Sequence, residues 1–94
     1  MAIRSIRLSR NAQKDLDRVP EHVGAKLQAW VKAVMKNSLE EVRKIPGYHD
    51  EPLKGQRAGQ RSIRLARGYR AIYIIEKDDI IEFVLVEEVN LHRY

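Results

Sequence analysis

Apolar positions along this chain recur first at helical spacing and then, from Arg61 onward, at every second residue. The opening stretch Ala2–Leu8 sets Ile3, Ile6 and Leu8 between arginines and reads as a short strand. Ser9 suits the N-cap of a short helix whose inward positions are Ala12, Leu16 and Val19. Pro20 fits the first turn of a second helix, where a missing N–H costs nothing. Val23, Leu27, Trp30, Val31 and Val34 then keep a 3.6-residue period as far as Asn37. Ser38 followed by Glu41 has capping-box spacing ahead of Leu39 and Val42, which predicts one more helical turn.

The segment Ile45–Gly59 carries two of the three prolines and three of the five glycines, and reads as an ordered loop. Loops of that length are uncommon in small domains and are often functional. Beyond it the pattern predicts a hairpin of Arg61–Leu65 with Tyr69–Glu76. A three-residue loop, Ala66–Arg67–Gly68 with Gly68 left-handed, pairs Leu65 with Tyr69 and Arg64 with Arg70. Ile63, Leu65, Tyr69, Ala71, Tyr73 and Ile75 then share an apolar face, while Ser62, Arg64 and Arg70 share the other. A two-residue loop would scatter arginines over the apolar face. Asp78–Asp79 marks a second turn, Ile80–Val86 is apolar enough for a doubly covered strand, and Val89–Tyr94 continues as a polar, aromatic tail.

The elements read β-α-α-β-β-β. They describe an α+β domain spanning 1–94, a twisted antiparallel sheet with two helices packed on one face. Composition narrows what such a domain can do. Cysteine is absent, which removes disulfides and thiolate metal sites and fits a reducing cytoplasm. No apolar run approaches the roughly 18 residues that cross a bilayer, so no membrane role is expected. The formal charge of +5 favours a polyanionic partner.

Five arginines, at 57, 61, 64, 67 and 70, concentrate that charge on and beside the hairpin. Guanidinium groups on a rigid sheet make a preformed phosphate site. Arg64 and Arg70, directly opposed, would repel each other unless an anion lies between them, so they lead the candidates. Lys54 and Arg57 form a cationic rim in the loop that feeds the hairpin, with Gly55 and Gly59 allowing close backbone approach. His92 and Tyr94 end the chain past the buried strand; His92 has a pKa suited to proton transfer near neutrality. His49 could act as a base or stack on a nucleobase, and Glu87 and Glu88 offer a carboxylate. His22 and Trp30 read as structural. There is no phosphate-loop glycine motif, no zinc spacing and no carboxylate cluster for Mg²⁺, so phosphoryl chemistry here is expected to need neither metal nor cofactor.

The runs Leu53-Lys54-Gly55, Arg61-Ser62-Ile63-Arg64-Leu65, Gly68-Tyr69-Arg70-Ala71-Ile72-Tyr73 and Glu88-Val89-Asn90-Leu91-His92-Arg93-Tyr94, in that order, resemble the RelE/ParE toxin superfamily. The resemblance covers most of the chain and implies a RelE-like, microbial-RNase-like fold. It implies a RelE/HigB/YoeB-like mRNA interferase of a type II toxin–antitoxin system, a ribosome-dependent endoribonuclease that inhibits translation. In that chemistry a 2′-hydroxyl attacks the adjacent phosphate and leaves a 2′,3′-cyclic phosphate.

By the same resemblance Arg70 stabilises charge on the phosphate, Arg64 and Lys54 fall on basic positions, and His92 and Tyr94 serve as general acid and base-stacking ring. Arg57, Arg61, Arg67 and His49 would contact RNA. Ser62 stands where some relatives carry lysine, and Arg93 separates two rings that others place side by side. The general base stays open between Lys54, His49 and Glu88. Implied partners are mRNA on the ribosome and a cognate antitoxin, in a two-chain complex or a heterotetramer. The alternatives are a ParE-like inhibitor of DNA gyrase without nuclease activity and a non-catalytic nucleic-acid-binding module.

Overall fold

Two serines start helices in the way their spacing predicts. In the computed structural model, which describes residues 2–89, the Ser9 hydroxyl accepts the Ala12 N–H at 3.0 Å and opens α1 (Arg10–Leu16). The Ser38 hydroxyl accepts the Glu41 N–H at 3.1 Å and opens α3 (Leu39–Arg43). Between them α2 (Glu21–Lys36) follows Pro20, which is the capping residue and not part of the first turn. The α2 stripe Val23, Leu27, Trp30 and Val34 is buried as its period requires.

The first strand, β1 (Ser5–Leu8), starts three residues later than the sequence pattern suggests. The remaining strands are β2 (Glu51–Pro52), β3 (Arg61–Ala66), β4 (Tyr69–Glu76) and β5 (Ile80–Glu88), in the spatial order β1-β5-β4-β3-β2. Pairing is antiparallel from β2 to β5, as expected. At the other edge β1 lies parallel to β5, a pairing that needs a long crossover and is invisible to local pattern. Once β1 ends, α1 takes over its edge of β5. The Ser9 N–H donates to Phe83 O (2.8 Å), the Ser9 hydroxyl donates to Val84 O (3.2 Å), and the Asp15 carboxylate accepts the Val86 N–H (3.0 Å).

All three helices bury side chains against one face of the sheet, around Trp30, Tyr73 and Phe83. These rings lie 5.2–5.6 Å apart in tilted and edge-on pairs, as their quadrupoles prefer. Ile63, Leu65, Ala71, Ile81 and Val86 complete that face.

The hairpin pairs Arg64 with Arg70, as the sequence predicts. Its turn differs in detail: Ala66, not Leu65, opposes Tyr69, and Leu65 is the extra residue of a bulge. The bulge keeps Leu65 buried while a tight turn at Arg67–Gly68 reverses the chain, with Gly68 left-handed at φ 85°. A second bulge lies in β5. Ile72 opposes Leu85 while Tyr73 opposes Phe83, leaving Val84 as the extra residue. Asp78 and Asp79, the expected second turn, are both left-handed, a conformation aspartate tolerates better than most residues.

The segment expected as an ordered loop is ordered by short elements of its own: helical turns at Pro46–Tyr48 and Gly55–Arg57, and β2 between them. β2 pairs Glu51 with Ser62 and Pro52 with Arg61, and so extends the sheet beyond the hairpin. Among the described residues no helix is long and apolar enough to cross a membrane.

Candidate functional site

Side chains alternate across a sheet, so burying Ile63, Leu65, Ala71 and Tyr73 under the helices sends Ser62, Arg64 and Arg70 to the helix-free face. Cross-strand pairing carries Glu51 and Glu87 to the same face, opposite Ser62 and Arg70 respectively. Glu51, Ser62, Arg64 and Arg70 meet in an open cleft of ≈ 530 Å³, lined also by His49 and Arg67, and Glu87 reaches it through Arg70. The cleft closes at the hairpin turn, where the Val89 N–H donates to Gly68 O at 2.6 Å.

The opposed arginines raise an electrostatic question, and Glu87 answers it. Its carboxylate accepts from Arg70 Nε at 2.5 Å, across the rung from Arg64. Arg70 is thus charge-compensated and about a third exposed, at 34%. Arg64 is exposed and presents a guanidinium to the same cleft. An incoming phosphate would find one exposed cation and a second held by a carboxylate it could displace.

His49 and Glu51 bring proton-transfer chemistry to the arginines. His49 is exposed and left-handed, with φ and ψ both 47°, at the end of the Pro46–Tyr48 turn. Between His49 and Glu51, Asp50 points the other way, and its side chain is wholly buried. Its two oxygens accept from Arg61 Nε and from the Tyr73 hydroxyl, each at 2.6 Å. Burial, with the Asp50 hydrogen bond and charge behind it, pushes the Tyr73 hydroxyl well above the usual tyrosine range, and Arg43 opposes the shift. Burial also works against the Arg61 charge, but the Asp50 carboxylate outweighs it and holds the guanidinium above its ordinary value.

Several sequence expectations need relocating. Arg61 lies on a rung that faces the helices, and Asp50 engages its guanidinium through Nε. Glu88 lies opposite Tyr69, accepts the Tyr69 hydroxyl at 3.3 Å, and faces away from Arg70. It is therefore displaced as a base candidate, whereas Glu87 shares the cleft face. Lys54 precedes the second helical turn of the loop and Arg57 ends it, both exposed and outside the cleft lining; Arg57 donates to the Gln60 side chain at 3.0 Å. Arg67 lines the cleft from the turn. His92 and Tyr94 lie outside the described residues. Glu51 is the cleft residue that sequence reasoning missed, because a two-residue strand leaves no periodicity to read.

The order of strands, with the helices on one face and the charged cleft on the other, goes with a family match that makes the chain a toxin of the RelE/ParE superfamily. The chain belongs to the ParE toxin family: residues 6–88 match the family model described as the ParE toxin of type II toxin–antitoxin system, parDE. Solved structures share the fold at low identity. YafQ from E. coli strain BL21(DE3) is 22% identical with a TM-score of 0.69, over 88% of this chain and 90% of that chain. The archaeal RelE–RelB complex from Pyrococcus horikoshii OT3 gives 19% and 0.70, over 97% and 99%. The YoeB/ParE toxin from Agrobacterium tumefaciens gives 17% and 0.68, over 92% and 99%. No curated protein matches the chain by sequence.

Proposed function

We propose that the cleft is the RNA-cleaving site of a toxin that cuts mRNA on the ribosome and is silenced by a cognate antitoxin. One observation carries the reading: Arg64 and Arg70, facing each other on adjacent strands, share a cleft with a carboxylate and an imidazole, Glu51 and His49. The scissile phosphate sits between the two guanidinium groups, with Arg70 exchanging Glu87 for a phosphate oxygen. The adjacent 2′-oxygen forms a bond to phosphorus as the bond to the 5′-oxygen breaks. Glu51 or His49 takes the 2′ proton, and an acid returns one to the leaving 5′-oxygen.

His92 is the family-based choice for that acid and Tyr94 for the stacking ring. The chain leaves β5 at the lip of the cleft, where Val89 is tied to Gly68, and both residues follow soon after. Lys54, Arg57 and Arg67 add cationic contacts along the RNA backbone. A well-placed acid or base supplies about 10²–10⁴-fold and an electrostatic donor about 10²–10³-fold. So few groups make a slow enzyme in isolation, and a ribosome that orients the RNA would supply the missing positioning.

The antitoxin partner is supported by family membership and by neighbours whose structures are toxin–antitoxin complexes, the archaeal RelE–RelB pair and the E. coli DinJ–YafQ pair. Binding of DNA gyrase without cleavage would leave Arg64, His49 and Glu51 together in one cleft without a task. The test is Arg70→Ala, assayed by mapping mRNA 5′ ends on ribosomes beside a supercoiling assay. Loss of new 5′ ends is expected from a variant that still folds, its melting temperature lowered by no more than the loss of the Arg70–Glu87 pair accounts for. Full cleavage by the variant, or a wild type that blocks supercoiling and makes no new ends, would overturn the reading.

A further inference from the structure

Asp50 is the most deeply held charged group in the loop before the hairpin, and it stands between the two ionisable residues that enter the cleft. Its donors, Arg61 and Tyr73, are cross-strand partners on a single rung of β3 and β4. One carboxylate therefore bolts the loop to one rung from the helix side, while the neighbouring residues emerge on the opposite side. The Tyr73 ring is itself fixed against Trp30 and Phe83, so the anchor point is part of the core.

We infer that Asp50 is a positioning residue, which sets the placement of His49 and Glu51 in the cleft through its bonds to Arg61 and Tyr73. Three observations converge on this. His49 is held in a left-handed conformation, which non-glycine residues keep only where their surroundings over-determine it. Backbone support nearby is thin: the His49 N–H reaches Pro46 O at 3.1 Å, and β2 is only two residues long. The Asp50 carboxylate has a separate donor on each oxygen, which fixes its orientation as well as its distance. The catalytic consequence rests on the nuclease reading above; the anchoring of the loop does not.

Tyr73→Phe is the principal test, because it keeps the ring packing and the Arg61–Asp50 pair and removes one hydroxyl. Asp50→Asn is the second variant, keeping the shape and removing the charge. NMR of the His49 amide and imidazole in the free protein reports anchoring without any substrate. Ribosome-dependent cleavage separates kcat from KM. The expected result is displaced or broadened His49 resonances in both variants, with kcat lower by about 10–100-fold and KM unchanged, as for a small misplacement of catalytic groups. His49 resonances identical to wild type in both variants overturn the inference, and so does a kcat that falls only in proportion to the folded fraction. A wild type that cleaves nothing overturns the nuclease reading instead, and the NMR result still decides the anchoring.

Discussion

Glu87→Gln tests how the cleft holds its charge. The substitution keeps the shape of the side chain and removes the carboxylate that compensates Arg70 across from Arg64. Arg70 and Glu87 are each about one-third exposed, at 34% and 31%, so water screens the pair. Such a pair contributes about 1 kcal/mol at most. In the free protein the variant loses that amount and leaves two opposed guanidinium groups facing each other. A loss of about 1 kcal/mol lowers the melting temperature of a domain this small by about 4–8 °C.

Binding should move the other way. A phosphate between Arg64 and Arg70 must displace Glu87 in the wild type, whereas in the variant it meets an uncompensated pair. About 1 kcal/mol in its favour corresponds to binding about fivefold tighter. The assay is fluorescence anisotropy with a labelled RNA that carries a single 2′-deoxynucleotide at the cleavage position, so that binding is read without turnover. The advantage should shrink as salt rises, because it is a difference between partly exposed charges. Equal or weaker binding by a folded Glu87→Gln protein refutes the reasoning, and would make Glu87 a brace for Arg70 in place of a competitor for its ligand.

Two further outcomes follow from the hairpin and the core. Gly68→Ala places a Cβ at a φ of 85° with Val89 O 3.8 Å away, an ordinary contact, so its cost is conformational. A loss of about 1–2 kcal/mol is expected in chemical denaturation, and an unchanged midpoint would refute the left-handed turn. Tyr73 is held protonated in the folded state, its hydroxyl raised above the ordinary tyrosine value by burial and then by Asp50. Its contribution is therefore complete below the unfolded tyrosine pKa of about 10, and is lost as pH climbs from there toward the folded value. Melting temperatures across that alkaline range should fall more steeply for wild type than for Tyr73→Phe; parallel curves would show that the hydroxyl carries no such linkage.

The helices were legible because each has a local signature. Ser9 and Ser38 sit where caps belong, and the α2 stripe repeats long enough to leave no ambiguity. Arg64 and Arg70 were legible as a pair because the short hairpin loop that keeps Ile63, Ala71 and Tyr73 together on the buried face also sets these two arginines opposite each other. What escaped the sequence depends on contacts distant along the chain. The parallel β1–β5 pair joins the two ends of the chain, and Glu51 reaches the cleft by pairing with Ser62 through a strand of two residues. The Arg61–Asp50 pair also escaped the sequence, because an arginine in an arginine-rich hairpin looks like its neighbours until Asp50 is found beside it.

Glu87 shows most clearly how the site depends on irregular backbone. In β5, Val84 is an extra residue, and from there to Glu88 the strand is shifted by one against β4. An unbulged register would set Val86 opposite Arg70 and carry Glu87 across to Tyr69, on the helix-covered face. The arginine pair would then lack its counter-ion, and a carboxylate would be driven toward the core. Within the run Ile80–Val86 all residues but Glu82 suit either face, so the pattern does not say where the shift falls. The shift is secured from outside the strand: Ser9 bonds Val84 O, and Asp15 takes the Val86 N–H left beyond the end of β1. The N-cap that starts the first helix thus also fixes the register that brings Glu87 to Arg70, and the balance of charge in the cleft is set from the opposite side of the sheet.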